Sequence, residues 1–181
     1  MTAPTDLRTE RLLLERLTID EATAVVALDR AGRAWAADYP TEGDLVVAGI
    51  VCEAGGHHDE VGFFGVYQVR LTTTGEAVGG IGFLHPPEGG AAEVGYGLAE
   101  SVRGCGYATE ALRALLDLAG DEGAEVVVAM TAVDNVASQR VLERCGFERG
   151  ELLHGDEDGP MIAWARRLRT DSREREQAGS A

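Results

Sequence analysis

The chain has 181 residues, 45% of them hydrophobic, and a formal net charge of −15. That length fits one domain with a sizeable core. The acidity argues against nucleic-acid binding, which needs a basic stripe, and no apolar run approaches the roughly 18–20 residues that span a bilayer.

The predicted elements follow in chain order. Thr9 to Leu17 reads as a first strand with leucines on both faces. Asp20 opens a helix running to about Ala31, with Ala24, Val25 and Leu28 on its buried side. Trp35 and Tyr39-Pro40 fall in a turn-rich segment, and Leu45 to Glu53 reads as a second helix. Gly55 to Glu60 is a loop. Phe63–Leu71, Ala77–Leu84 and Ala92–Leu98 then form an antiparallel meander with short turns. A glycine-bearing turn leads into a helix ending near Gly120, whose apolar positions are Ala108, Ala111, Leu112, Leu115, Leu116 and Ala119. The apolar run Val126–Met130 reads as a strand buried on both faces. Asp134 or Asn135 caps the next helix, which ends at Gly146. Phe147–Leu153 and Met161–Arg167 make a terminal strand pair around an acidic turn. Residues 169–181 form a polar tail, expected to be disordered, after a domain spanning 1–168. The fold class is α/β, an antiparallel half joined to a parallel step.

Three cysteines, Cys52, Cys105 and Cys145, are odd in number and far apart, which argues against a disulfide framework. His57, His58, His85 and His154 form no Cys/His cluster with zinc spacing, so no metal is expected. His57-His58 reads as a solvated turn. The N-terminus, Met1 to Glu10, is polar and lacks a signal-peptide apolar region, and the chain reads as cytoplasmic.

One stretch carries most of the chemistry: Arg103-Gly104-Cys105-Gly106-Tyr107-Ala108, between a strand and a helix N-terminus. Uncapped amides in the first helical turn, with the macrodipole behind them, stabilise a diphosphate. Glycines let that anion approach the backbone. The plainer reading is a helix entered through a flexible turn. An NTPase-type loop is excluded, because the chain has no lysine and all sixteen basic residues are arginine. A dinucleotide fingerprint fails because Thr109 stands where the third glycine belongs.

This Arg-x-x-Gly-x-Ala pattern resembles the pyrophosphate loop of the GNAT family of N-acetyltransferases. A second stretch, Asp134 to Phe147, resembles the other hallmark of that family: Asn135 heading a helix after a buried strand, with Gly146-Phe147 closing it. Both motifs stand in the family's order and separation, and the likeness covers about Leu12 to Trp164. The opening Thr-Glu-Arg-Leu-Leu-Leu and the Asn-x-x-Ser-x-Arg helix look most like the branch that acetylates ribosomal-protein N-termini. That branch also holds enzymes for aminoglycosides and other small amines.

The resemblance implies a mixed, mostly antiparallel central sheet with a splayed parallel strand pair flanked by helices. Acetyl-CoA would enter the gap between Glu93–Leu98 and Glu125–Ala132, its pantetheine pairing near Leu98. The diphosphate would sit on the amides of Arg103, Gly104, Cys105, Gly106, Tyr107, Ala108 and Thr109. Asn135 would face the pantetheine. Arg140 would meet a CoA phosphate or stand solvated on its helix.

Acetyl transfer needs a neutral amine, and a modest base suffices for an α-amine with pKa near 7.7–8.0. Glu93, where family members often carry a catalytic glutamate, is the candidate base, or else an edge-of-sheet carboxylate. Many members carry a tyrosine seven residues after the asparagine. Here that residue is Leu142, which leaves Ser138 as the nearby hydroxyl, with Tyr96 and Tyr107 weaker alternatives. The segment around Trp35 and Tyr39 would shape the acceptor pocket, or those aromatics belong to the core. The expected function is transfer of acetyl from acetyl-CoA to a primary amine, on a protein N-terminus or a small molecule. The alternative is a non-catalytic acyl-CoA-binding sensor or subunit. No nucleic-acid or membrane partner is expected, and the chain is expected to be a monomer or homodimer.

Overall fold

The computed structural model describes residues 6–55, 64–84, 87–155 and 159–168. The His57-His58 loop, His85 and the 169–181 tail lie outside the described residues, as do the last residues of the acidic turn at 156–158. The elements are β1 (Leu7–Arg8), β2 (Leu12–Arg16), α1 (Ile19–Ala27), α2 (Glu42–Ala54), β3 (Val66–Leu71), β4 (Ala77–Phe83), β5 (Ala91–Leu98), α3 (Tyr107–Asp121), β6 (Val126–Ala132), α4 (Val136–Arg144), β7 (Glu148–Gly155) and β8 (Gly159–Arg167). The eight strands form one sheet in the order β1-β2-β3-β4-β5-β6-β8-β7. Every neighbouring pair is antiparallel except β5–β6, which α3 joins by a crossover.

That parallel pair opens the sheet. β5 and β6 stay in register only from Ala91–Val126 to Glu93–Val128. Beyond Glu93, β5 runs on against β4 and β6 runs on against β8, so the strands part and leave a wedge.

Cross-strand partners share a face, so the register divides the sheet in two. One face carries Leu14, Val69, Tyr67, Ile81, Tyr96, Phe83 and Val94. It packs under α3 and α4, whose Ala111, Leu112, Leu115, Leu116, Ala119 and Leu142 are buried. The other face carries Glu15, Gln68, Gly80 and Gly97 in one row, and Val66, Gly82 and Gly95 in the next. α1 and α2 lie over that second face. Glu21 of α1 takes bonds from Trp35, Gln68 and Arg70, and α2 covers β4 and β5.

Several elements differ from expectation. The first strand is interrupted at Thr9–Arg11, where Thr9 Oγ1 and the Arg11 amide both donate to Glu110 Oε1. α1 begins one residue before Asp20, because Thr18 caps it by accepting from the Glu21 amide. It stops at Ala27. Leu28 takes the left-handed conformation, φ 54°, and its amide closes the helix on Ala24 and Val25. That swings the Leu28 side chain outward to 58% exposure rather than into the core. α2 starts earlier than expected, at a capping box of Thr41 and Asp44. β6 is not buried on both faces. Its burial alternates, with Val127, Ala129 and Thr131 inside.

Candidate functional site

Two recesses meet on β5. The first is a groove of about 420 Å³ at the wedge between β5 and β6, where α3 and α4 begin. Tyr96, Gly97 and Leu98 line it from β5, and Arg103, Gly104, Gly106, Tyr107, Ala108 and Thr109 from the loop and α3. Asn135, Ser138 and Arg140 line it from the start of α4. Gly104 and Gly106 have φ of 78° and 83°, a region L side chains rarely adopt. A Cβ at Gly104 would meet nothing within 4 Å. No side chain caps α3, so its first amides are left for a ligand. Thr109 Oγ1 is buried and has no partner among the described residues. Arg103, Arg140 and Arg144 also line this groove in a chain of net charge −15. Free amides, an orphaned hydroxyl, bare backbone and local positive charge all suit a diphosphate.

Cys105 lies outside the lining, and its carbonyl turns back to accept from Arg11 Nη1 at 3.0 Å. The same arginine holds Glu110 through Nε at 2.7 Å and stacks on the Tyr107 ring at 4.6 Å. This clasp was not anticipated. Burial alone would raise the Glu110 carboxyl, but the bonds from Thr9 and Arg11 outweigh it and hold the group below its ordinary range.

Leu98 borders the groove, and its carbonyl already accepts from Arg103 Nε at 3.1 Å. Asn135 caps α4 by accepting from the Ser138 amide at 3.0 Å. Its Oδ1 is therefore occupied, and Nδ2 is the part left for a ligand. Leu142 is fully buried, as a core residue. Ser138 Oγ donates to Tyr96 Oη at 2.8 Å, and Tyr96 Oη donates to the Ser138 carbonyl at 3.2 Å. Burial pushes the Tyr96 phenol up to about 12, despite the bond from Ser138, so it is neutral and a donor. Alternation along β5 puts this side chain on the α4 side, the signal that would have paired it with Ser138.

The second recess is a cavity of about 140 Å³ on the opposite face of β5, walled by Leu17, Val25, Tyr39, Asp44, Val47 and Gln68. Its floor is four glycines, Gly80, Gly82, Gly95 and Gly97. A Cβ at Gly80 would meet Asp44 Oδ1 at 2.7 Å, and one at Gly82 would meet the Val66 Cα at 2.6 Å. Tyr96 and Gly97 line both recesses. Tyr39 is part of the cavity wall, its hydroxyl accepting from Gln68 Nε2 at 2.8 Å. Trp35, also expected in the acceptor pocket, is a core residue instead. Its Nε1 donates to Glu21 at 2.9 Å and it stands outside the lining. Glu93 is half-buried at the fork itself, the last β5 residue paired with β6, on the same face as Gly95 and Gly97.

Among the described residues no group of three His, Cys, Asp or Glu side chains could hold a metal, and no helix is long and apolar enough to cross a membrane.

Comparison with known proteins agrees with this geometry. The family model for the acetyltransferase (GNAT) domain matches residues 11–148. An acetyltransferase from Agrobacterium tumefaciens has 27% identity and a TM-score of 0.65, over 93% of this chain and 97% of that one. An acetyltransferase from Salmonella typhimurium that modifies the N-terminal serine of ribosomal protein L7/L12 has 22% identity and a TM-score of 0.65, over 89% of this chain and 97% of that one. RimL, a ribosomal L7/L12 alpha-N-protein acetyltransferase solved with coenzyme A, has 21% identity and a TM-score of 0.68, over 92% of this chain and all of that one. The curated proteins compared with the chain give no match. A groove that suits a diphosphate on a splayed strand pair agrees with the domain model that covers Arg11 to Glu148, and this protein belongs to the GNAT family of acetyltransferases.

Proposed function

We propose that the protein is an N-acetyltransferase that moves the acetyl group of acetyl-CoA directly to a primary amine. The observation that carries this reading is the junction at Tyr96–Gly97, where a diphosphate-compatible groove and a separate cavity share a wall. A non-catalytic acyl-CoA sensor would need only the groove. Bound there, acetyl-CoA supplies the activated acetyl thioester.

The chain's own residues then have separable tasks. The amides of residues 104–109 and Thr109 Oγ1 bind phosphate oxygens, with Arg140 at the rim, whereas the Arg103 amide, expected to join them, already donates to the Glu100 carbonyl at 3.1 Å. Asn135 Nδ2 orients the pantetheine near Leu98. Glu93, at the fork, accepts the ammonium proton directly or through water. Tyr96 and Ser138 form one hydrogen-bonded pair at the groove, and because both hydroxyl protons are spent within it, Tyr96 Oη reaches the departing sulfur by releasing the Ser138 carbonyl. A phenol near 12 does not readily surrender its proton to a thiolate of ordinary pKa about 8.5, so the pair stabilises charge by hydrogen bonding rather than full transfer. The sheet topology and the relatives acting on ribosomal proteins are compatible with a protein N-terminus as acceptor, and equally with a small amine.

CoA release measured against a panel of amines, with CoA binding in parallel, separates enzyme from sensor. Glu93→Gln sharpens the test. Loss of a general base typically costs about 10²–10⁴-fold in rate. The deficit in kcat/KM is expected to be largest at acidic pH and to shrink as pH passes the amine pKa. A variant equal to wild type at pH 6.5 removes Glu93 from the mechanism.

A further inference from the structure

We propose that Asp44 and Gln68 form a cation subsite in the glycine-floored cavity, so that the acceptor is a compact diamine held by its non-reacting ammonium. This rests on the acetyltransferase reading above.

No arginine or histidine lines the cavity, and the Tyr39 hydroxyl, which accepts from Gln68, is a neutral donor that supplies no positive charge. Gln68 is 2% exposed. Its Nε2 is committed to Glu21 at 3.2 Å and Tyr39 at 2.8 Å. The carboxylate partner fixes which end of the amide is the nitrogen. Gln68 Oε1 is then left buried with no partner among the described residues. Asp44 is 9% exposed and lines the same cavity. The bonds to its carboxylate come from Thr41, whose amide and hydroxyl both donate to Oδ2, at 2.8 and 2.6 Å. Among the described residues no arginine or histidine pairs with it. A buried carboxylate lacking a cation, lining the same cavity as a residue whose buried carbonyl lacks a donor, is stabilised by an ammonium that supplies both.

That ammonium is unsuited to be the nucleophile. A neighbouring carboxylate favours the charged form of an amine, whereas attack needs the neutral form. The held group is therefore a second one, and the reacting amine extends along the glycine floor toward Tyr96–Gly97. Size limits the chain between them. A cavity of about 150 Å³ holds a benzene-sized molecule, and this one is about 140 Å³. A four-carbon diamine is of that order.

The experiment compares 1,4-diaminobutane with butylamine. Binding of each to the full chain is measured by calorimetry without acetyl-CoA, and CoA binding is measured separately. Wild type is expected to hold the diamine about tenfold more tightly or better, the worth of a charged hydrogen bond. Asp44→Asn, which keeps an oxygen for Thr41, is expected to erase that preference and leave CoA binding intact. Gly80→Ala, which sets a methyl group against Asp44 Oδ1, should do the same. A wild type without diamine preference overturns the proposal whatever the variants do, and so does a folded Asp44→Asn or Gly80→Ala protein that keeps the preference. Loss of CoA binding in wild type would instead refute the acetyltransferase reading, and the diamine result would still stand.

Discussion

Glu110, beneath the donor groove, and Asp44, over the acceptor cavity, both sit in the first turn of a helix, and the fold treats them in opposite ways. Glu110 is surrounded by donors: the Thr9 hydroxyl, the Arg11 amide and the Arg11 guanidinium. Its carboxyl is held low. Asp44 is buried deeper with only Thr41 for company, and burial pushes its carboxyl up against those two bonds. The difference separates a carboxylate that completes a structure from one left incomplete. Glu110 is satisfied before any ligand arrives, whereas Asp44 has no arginine or histidine paired with it among the described residues and, in the proposal above, waits for a substrate cation.

The sharpest way to break the comparison is at the donor loop. Gly106→Glu puts a negative charge where the diphosphate is proposed to bind and an L side chain at φ 83°. CoA affinity should fall by about 100-fold or more, since an uncompensated charge in a binding site costs several kcal/mol. Calorimetry on a variant with native circular dichroism checks this, and unchanged affinity would detach the loop from CoA.

Next in size is the pH response, where the two carboxylates carry opposite signs. The depressed Glu110 contributes stability that is present above its unfolded pKa, about 4.3, and is lost as pH falls through its folded value. Acid should therefore weaken wild type more than Glu110→Gln. The raised Asp44 works the other way. Its contribution is present below its unfolded pKa, about 3.9, and is lost as pH rises through the folded value. Wild type should lose ground to Asp44→Asn over that rise. Denaturant midpoints across the acidic range test both, and slopes of the same sign in the two variants would erase the contrast.

The smallest expected effect is at Asn135, which caps α4 and is proposed to orient the pantetheine as well. Asn135→Ala should cost about 0.5–2 kcal/mol of stability as a lost cap. It should also raise the KM for acetyl-CoA. A stability loss without a KM change would assign the residue to structure alone.

The two regions also differ in how far they could be read from the sequence. The donor loop is six consecutive residues whose backbone does the work, so its pattern survives in the linear order. Asn135 and Ser138 lie three apart on one helix and were legible for the same reason. The clasp joins residues 99 apart, Tyr96 meets Ser138 across 42, and Gln68 meets Glu21 across 47. Local propensity says nothing about such meetings. The cavity floor does leave a trace in the sequence. Gly80-Ile81-Gly82 and Gly95-Tyr96-Gly97 place glycines at alternate positions of two adjacent strands, which bares one face of a sheet. At Leu28 the helical period pointed inward, but a left-handed residue ended the helix and turned the side chain out.

The Arg11 clasp also bears on how the molecule is made. Arg11 is synthesised 99 residues ahead of the carboxylate it holds. Until that separation closes, nothing draws the Cys105 carbonyl toward Arg11, and the loop has no fixed shape. Closing so long a segment is an entropic cost that only the assembled sheet can meet. A growing chain therefore lacks the clasped loop until Glu110 has been made, and the α4 wall of the groove follows later still. A chain cut short before Glu110 lacks the carboxylate on which Thr9 and Arg11 converge, and with it the clasp that ties the first strands to α3.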